Sequence, residues 1–485
     1  MSRHVLASCF IVCLLSLPFL SAAVVHHRPE TVSPVSPSPE PGSVTIHVDL
    51  LRFRAMSVEA SLPAFYFEVD INGEPALPGR EVHRGTDLWL DNLTASRTIA
   101  YDPDTPVDIV IRARQRSLLL DTICDISPRA SLLGGRALTL TYDLRTGQWT
   151  GDDHLGDGDG YGHASGFADG NEREQDAEIW FDIYQVEEGC PPDRITYWKK
   201  VNYYHLDGHQ SYQGYDPDQD GIPMEWEDKY GYDPLAWDDH ATLDPDRDGL
   251  TNLQEYMMEE WLADPFAQNI YVEIDGMEGP FRWSQPYMLP EESQHLLSNA
   301  FARHNITIIF DDGLMGEGGE LLPYDNLTSY EDMWNARNRY FLHWNHNHPR
   351  RGVFHYALIC AQIDFSRRPA GGCAFAIDSH VIAGQYVRNW LPSFVAQGSD
   401  YHTAFASVFM HELGHTLGLN RFGGIDNEKS RFPWNKEYWQ WGPYESCMNY
   451  RYVYKLVDYS DGDDEDYDQN DWEIIDLTRF TRPGW

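Results

Sequence analysis

Apolar and polar residues alternate with a period of two in five short stretches of the N-terminal half, at 44–50, 64–71, 107–113, 137–144 and 178–184. That period turns one side of each stretch toward a core and the other toward water, as half-buried strands require. Gly, Pro and Asp clusters separate the stretches, so the spacing predicts an antiparallel β-sandwich over residues 44–190. The texture changes beyond residue 265. Runs at 270–274, 306–310 and 356–363 read as strands, whereas 291–304 and 404–417 carry helical spacing, with Phe405, Val408 and Phe409 on one buried side. A last helix is expected around 472–480. Strands alternating with helices predict an α/β segment over 266–485, in which a helix packs beneath a sheet. The chain therefore reads as multidomain.

Between the two textures, residues 191–265 contain an internal repeat. One copy places Asp216, Asp218, Asp220, Gly221 and Ile222 in a row, with Glu227 at the twelfth position; the other places Asp244, Asp246, Asp248, Gly249 and Leu250, then Asn252 ninth and Glu255 twelfth. These are the positions from which a calcium loop draws its oxygens: short carboxylates, one backbone carbonyl at Ile222 or Leu250, and a final bidentate Glu. The glycine at the sixth place permits the sharp turn. The residues before each loop do not read as helices, which argues against a paired helix–loop–helix. The form of the second copy, followed by Ala263-Asp264-Pro265, resembles the thrombospondin type-3-like repeats of secreted prokaryotic proteins. The resemblance implies a calcium-stiffened connector.

The chain's start adds a compartment. Arg3 and His4 precede an apolar run over 5–20, and Ser21-Ala22-Ala23 offers a small-residue cleavage site, so residues 1–23 read as a secretory signal peptide and 24–43 as a Pro/Ser-rich linker. A secreted, extracellular protein with no membrane span after signal removal is expected. Of seven cysteines, Cys9 and Cys13 would leave with the signal; Cys360–Cys373 is the easiest disulfide to close among the remainder. The formal net charge of −40 excludes nucleic acid as a partner, since phosphate binding needs a basic footprint. Acidic clusters at 151–170 and 458–471 read as solvated loops that could also attract calcium.

The decisive chemistry lies at residues 411–418, His-Glu-Leu-Gly-His-Thr-Leu-Gly. His411 and His415, four apart on a helix, share one face with Cβ atoms about 5–6 Å apart, close enough to hold one zinc ion. Glu412 can reach a water at that metal as general base. Gly418 ends the helix and lets the chain turn back.

His411-Glu412-x-x-His415-x-x-Gly418, followed by Ser446-Cys447-Met448-Asn449-Tyr450, resembles the metzincin clan of zinc peptidases. The resemblance implies that Met448 forms the floor of the zinc site and that Tyr450 stabilises an oxyanion. It also implies a secreted zinc metalloendopeptidase acting on a protein or peptide substrate. One departure is serious: the clan's third ligand falls three residues after the glycine, and here that residue is Arg421, which has no lone pair to offer. No His follows His415, so a carboxylate or the Cys447 thiolate must serve. Asp426, just beyond Gly423-Gly424, is the first choice and Glu437, placed as in the thermolysin-like clan, the second; Glu428, Glu445 and Cys447 stay open. Arg421 also supports a rival expectation, a catalytically inactive, calcium-binding extracellular adhesion or surface-binding protein. Gly189-Cys190-Pro191 raises a further one, a thiol that blocks the zinc until it is removed.

Overall fold

The alternating stretches of the N-terminal half form two antiparallel sheets in the computed structural model. It describes residues 40–481 except 57–62, 80, 118–119, 130–134, 157–159, 170–174, 238, 366–367, 397 and 463–465. The expected signal peptide, and the linker as far as residue 39, lie outside the described residues. One sheet orders Gly162–Ser165, Ala177–Glu187, Ser43–Ala55 and Asp87–Ala100; the other orders Glu74–Pro78, Ala64–Ile71, Val107–Gln115, Leu138–Tyr142 and Trp149–Gly151, with two short strands beside this path. Alternate side chains of both sheets share one core: Val44, Ile46, Val48, Ile179, Phe181 and Ile183 meet Phe65, Phe67, Val69, Ile109, Ile111 and Leu140. The period-two pattern thus becomes the inner faces of a sandwich-like pair of sheets.

Strands Thr307–Asp311, Asn269–Met277, Phe354–Cys360 and Ser379–Ala383 run parallel in that spatial order in the C-terminal half, and Gly372–Ala374 closes the row as an antiparallel edge strand. These strands are buried along most of their length, as a sheet covered on both faces requires. Helices Glu291–Ala302 and Gly384–Val395 pack against the long helix Tyr401–Thr416, whose side chains from Ala404 to Gly414 are all buried. Asp400 caps that helix by accepting from the Thr403 amide at 2.9 Å.

The described residues belong to one compact unit. Within it, residues 44–183 and residues 250–477 each have a hydrophobic core of their own, with two smaller clusters between them. Trp89 of the sandwich meets Trp261 edge-on at 5.7 Å, and Arg54 reaches Asn299 of the helical half. No helix among the described residues is long and apolar enough to cross a membrane.

Several local expectations need correction. The helix expected at 472–480 is split into Asp471–Ile474 and a 3-10 turn Arg479–Thr481, because Ile475 turns extended and the Asp476 amide donates to the Leu417 carbonyl instead of continuing a helix. Cys360 and Cys373 are free thiols, as are Cys124, Cys190 and Cys447. The acidic clusters are not simply solvated. Asp153 is buried and accepts from the Trp149 indole at 2.5 Å and the His163 amide at 2.8 Å. Asp471, fully buried, accepts from the Tyr444 hydroxyl at 2.8 Å.

Candidate metal centres and the cavity above them

Helix Tyr401–Thr416 presents His411 and His415 on one face, their ring centroids 4.9 Å apart. The Nδ1 of His411 lies 2.9 Å from the Cys447 carbonyl, and that of His415 lies 2.9 Å from the Leu419 carbonyl. A carbonyl only accepts, so each Nδ1 carries a proton and each Nε2 is turned the other way. Both Nε2 atoms meet one side chain. Asp426 brings Oδ1 to 3.2 Å from His411 Nε2 and Oδ2 to 3.2 Å from His415 Nε2. One ligand atom from each of the three lies within 4.8 Å of the others, so the set can hold a metal ion. Two imidazoles and a carboxylate suit a transition-metal ion such as zinc, and the half-exposed carboxylate leaves one side open to the cavity.

Asp426 is held where it is. An isolated antiparallel bridge joins Ile425 to Asn449, and the Asp426 backbone adopts φ 51°, a left-handed conformation uncommon outside glycine. The loop after the helix is thereby tied to the turn 446–450. Within that turn Met448 is fully buried, and a Cβ on Gly414 would sit 2.7 Å from its Sδ. Glycine at 414, between the two histidines in sequence, is therefore what lets the Met448 side chain come this close to the helix. Tyr450 places its ring 5.7 Å from that of His411.

Glu412 is 6% exposed and accepts from the Ala374 amide of the edge strand at 2.8 Å. The approach is close: a Cβ on Gly372 would fall 2.5 Å from the Glu412 side chain. Burial pushes the Glu412 carboxyl above the usual range, against the pull of His411 and His415. Burial also opposes the proton on His415, but the hydrogen bond and charge of Asp426, with Glu412, outweigh it and hold this imidazole up at about 9. Asp426 is buried enough to resist ionisation, yet the two histidines force it well below the ordinary carboxylate range. Burial and the neighbouring Asp426 push the Tyr450 hydroxyl above its ordinary value, so it stays a donor.

A cavity of about 1260 Å3 opens over this group, and its walls include Tyr386, Arg431, Tyr450 and Tyr454. The rival third ligands do not reach the imidazoles as Asp426 does. Glu437 lies in the short helix Lys436–Gln440 and pairs with Lys429 at 3.4 Å. Glu428 lines the cavity wall. Glu445 approaches the Tyr452 hydroxyl at 3.5 Å. Cys447 contributes its carbonyl to His411, while burial raises its thiol. Arg421 is exposed and outside the cavity lining. Cys190 lies 3.5 Å from His209 and does not line the cavity, so its position gives no support to a thiol block.

The two acidic loops share one backbone. Gln219 and Arg247 have φ 67° and 65°, and Gly221 and Gly249 have φ 102° and 100°. The amide of each glycine donates to the first Asp of its loop, at 3.1 Å to Asp216 and 3.2 Å to Asp244. Likewise Ile222 and Leu250 each donate at 2.8 Å to Asp220 and Asp248. Asp244, Asp246 and Asp248 converge closely enough to hold a metal ion, and so do Asp218, Asp220 and Glu227. Asn252 and Glu255 are buried, and neither side chain has a hydrogen-bond partner. Burial and the neighbouring carboxylates push Asp246, Asp248 and Glu255 upward. The first loop has a member the sequence did not suggest. His240 places Nε2 3.1 Å from both Asp220 and Glu227.

No family model and no curated protein matches the chain. Among solved structures it is similar to a C2 domain at 10% identity, over 29% of this chain and 97% of that one, with a TM-score of 0.18. It is similar to a C2 domain protein from Ramazzottius varieornatus at 9% identity, over 33% and 96%, with a TM-score of 0.19. A domain of plant extended synaptotagmin 1 gives 8% identity over 31% and 98%, with a TM-score of 0.18. Likenesses at these scores carry no functional argument.

Proposed function

We propose that the chain is a secreted zinc metalloendopeptidase whose connector is stiffened by calcium. One observation carries the reading: His411, His415 and Asp426 converge at 3.2 Å contacts while Glu412 sits beside them on the same helix. The motif order that resembles metzincins, and the repeat that resembles thrombospondin type-3-like loops, support it from the sequence.

Zinc held by His411, His415 and Asp426 would supply Lewis acidity and lower the pKa of a water there to about 7. Glu412 takes the proton from the attacking water and passes it to the leaving amine. Its anchor, the Ala374 amide, fixes one carboxylate oxygen and leaves the other to act. Tyr450 donates its hydroxyl proton in a hydrogen bond to the carbonyl oxygen as charge develops there. Strand Gly372–Ala374 ends its sheet, so a peptide can lie along it in extended form beside Glu412. In the connector, calcium would bind Asp216, Asp218, Asp220, the Ile222 carbonyl and Glu227, and in the second loop Asp244, Asp246, Asp248, the Leu250 carbonyl, Asn252 and Glu255.

The purified chain is expected to contain stoichiometric zinc and to cleave casein or a broad peptide library. Activity should vanish on zinc removal and return when equimolar zinc is restored. A chain with neither zinc nor hydrolysis would instead support an inactive calcium-binding surface protein.

A further inference from the structure

A third group of carboxylates lies away from both the histidine pair and the acidic loops. Glu273 and Asp275 are two apart on strand Asn269–Met277, hence on one face, and both are fully buried. Loop 312–320 folds over them: the Gly319 amide donates to the Ile274 carbonyl at 2.8 Å and the Glu320 amide to Asp275 Oδ1 at 3.1 Å. That closure brings the Glu320 carboxylate in, and one oxygen from each of Glu273, Asp275 and Glu320 lies within 4.8 Å of the others.

Charge balance at this place is poor without a further cation. Arg350 binds Glu273 Oε2 at 2.5 Å, Asp311 at 2.6 Å and Glu317 at 3.0 Å, while His343 and His348 lie 3.8 and 3.7 Å from Glu317, so one guanidinium is shared among three carboxylates and cannot neutralise Glu273, Asp275 and Glu320 together. The Tyr356 hydroxyl donates to Asp275 Oδ2 at 3.1 Å. Asp311 Oδ1 accepts from the Gly313 and Met315 amides at 3.1 and 2.8 Å. After these contacts Glu273 Oε1, on a side chain with 0% exposure, has no hydrogen-bond partner, and Glu320 Oε2 is buried without one. A buried carboxylate oxygen in that state is unfavourable unless a cation or a proton meets it. Burial drives Glu273 up to about 9 despite Arg350, and burial with Glu320 drives Asp275 up to about 8.

We propose that Glu273, Asp275 and Glu320 form a cation site for a hard divalent ion of the calcium class, which pins loop 312–320 to the end of the central strand. The ligand set is all oxygen, which favours calcium over the softer metals that histidine sites select. The site is independent of the zinc reading and of the two acidic loops. The alternative, protons shared among the carboxylates, predicts no bound ion.

The test counts calcium on the full chain after chelation and equilibrium dialysis against Ca2+, with Glu255→Gln as a reference that disables one connector loop. Glu320→Gln, in a half-buried loop, should bind one calcium fewer than the parent, and its zinc content measured before chelation should equal the parent's. The double variant Glu255→Gln with Glu320→Gln should bind one calcium fewer than Glu255→Gln alone, whatever the connector loop binds. Asp275→Asn provides a second ligand change if Glu320→Gln does not fold. If Glu320→Gln and Asp275→Asn both fold by circular dichroism and both keep the parental calcium count, the site does not exist.

Discussion

Glu412→Gln should leave zinc in place while lowering kcat/KM by about 10²–10⁴-fold, the contribution usual for a positioned general acid–base. The substitution keeps the shape of the side chain and its hydrogen bond from Ala374, and removes only the capacity to carry a proton. Because Glu412 touches the edge strand and not the meeting point of the imidazoles, metal content should match the parent. The comparison isolates chemistry from binding. Glu412→Ala should be at least as impaired, since it also vacates space against Gly372. Activity equal to the parent in either variant would remove the glutamate from the mechanism.

Asp426→Ala should lose both zinc and hydrolysis, because two imidazoles alone leave the ion short of the three protein ligands usual for catalytic zinc. The loss should be specific. Glu437→Gln, which alters a carboxylate already paired with Lys429 near the surface, should keep zinc content and rate within about twofold of the parent. Stoichiometric zinc in Asp426→Ala, or its absence in Glu437→Gln, would transfer the ligand role elsewhere. Asp426→Glu is the sensitive intermediate: the longer side chain changes the reach while the φ 51° backbone stays fixed by the bridge to Asn449.

Much of this arrangement was legible in the sequence wherever spacing alone determines geometry. A four-residue step between imidazoles fixes their common face. A two-residue step between apolar positions fixes the inner side of each sandwich strand, and the stretch at 64–71 reappears as strand Ala64–Ile71. The twelve-residue loop pattern recurs as two loops with near-identical φ at Gln219 and Arg247. Other features depend on contacts that join distant segments. The amide of Ala374 reaches Glu412 from 38 positions away, and nothing in Gly371-Gly372-Cys373 marks it as more than a turn. Strand Asp87–Ala100 leaves no clear alternation in the sequence because Asp91, Asn92 and Arg97 interrupt its apolar run. His240 joins the first acidic loop only through the fold of residues between the repeats. Arg421 cannot serve as a ligand and directs attention farther along the chain, and the bridge at Ile425 ties the loop that sets Asp426 against the imidazoles.

The position of one ion decides whether His411, His415 and Asp426 act together. Anomalous scattering at the zinc edge from crystals of the zinc-loaded protein should give a peak about 2.0–2.2 Å from Nε2 of His411, Nε2 of His415 and a carboxylate oxygen of Asp426. No peak at that point, or a peak ligated by Glu437 or the Cys447 sulfur while Asp426 faces solvent, would contradict it.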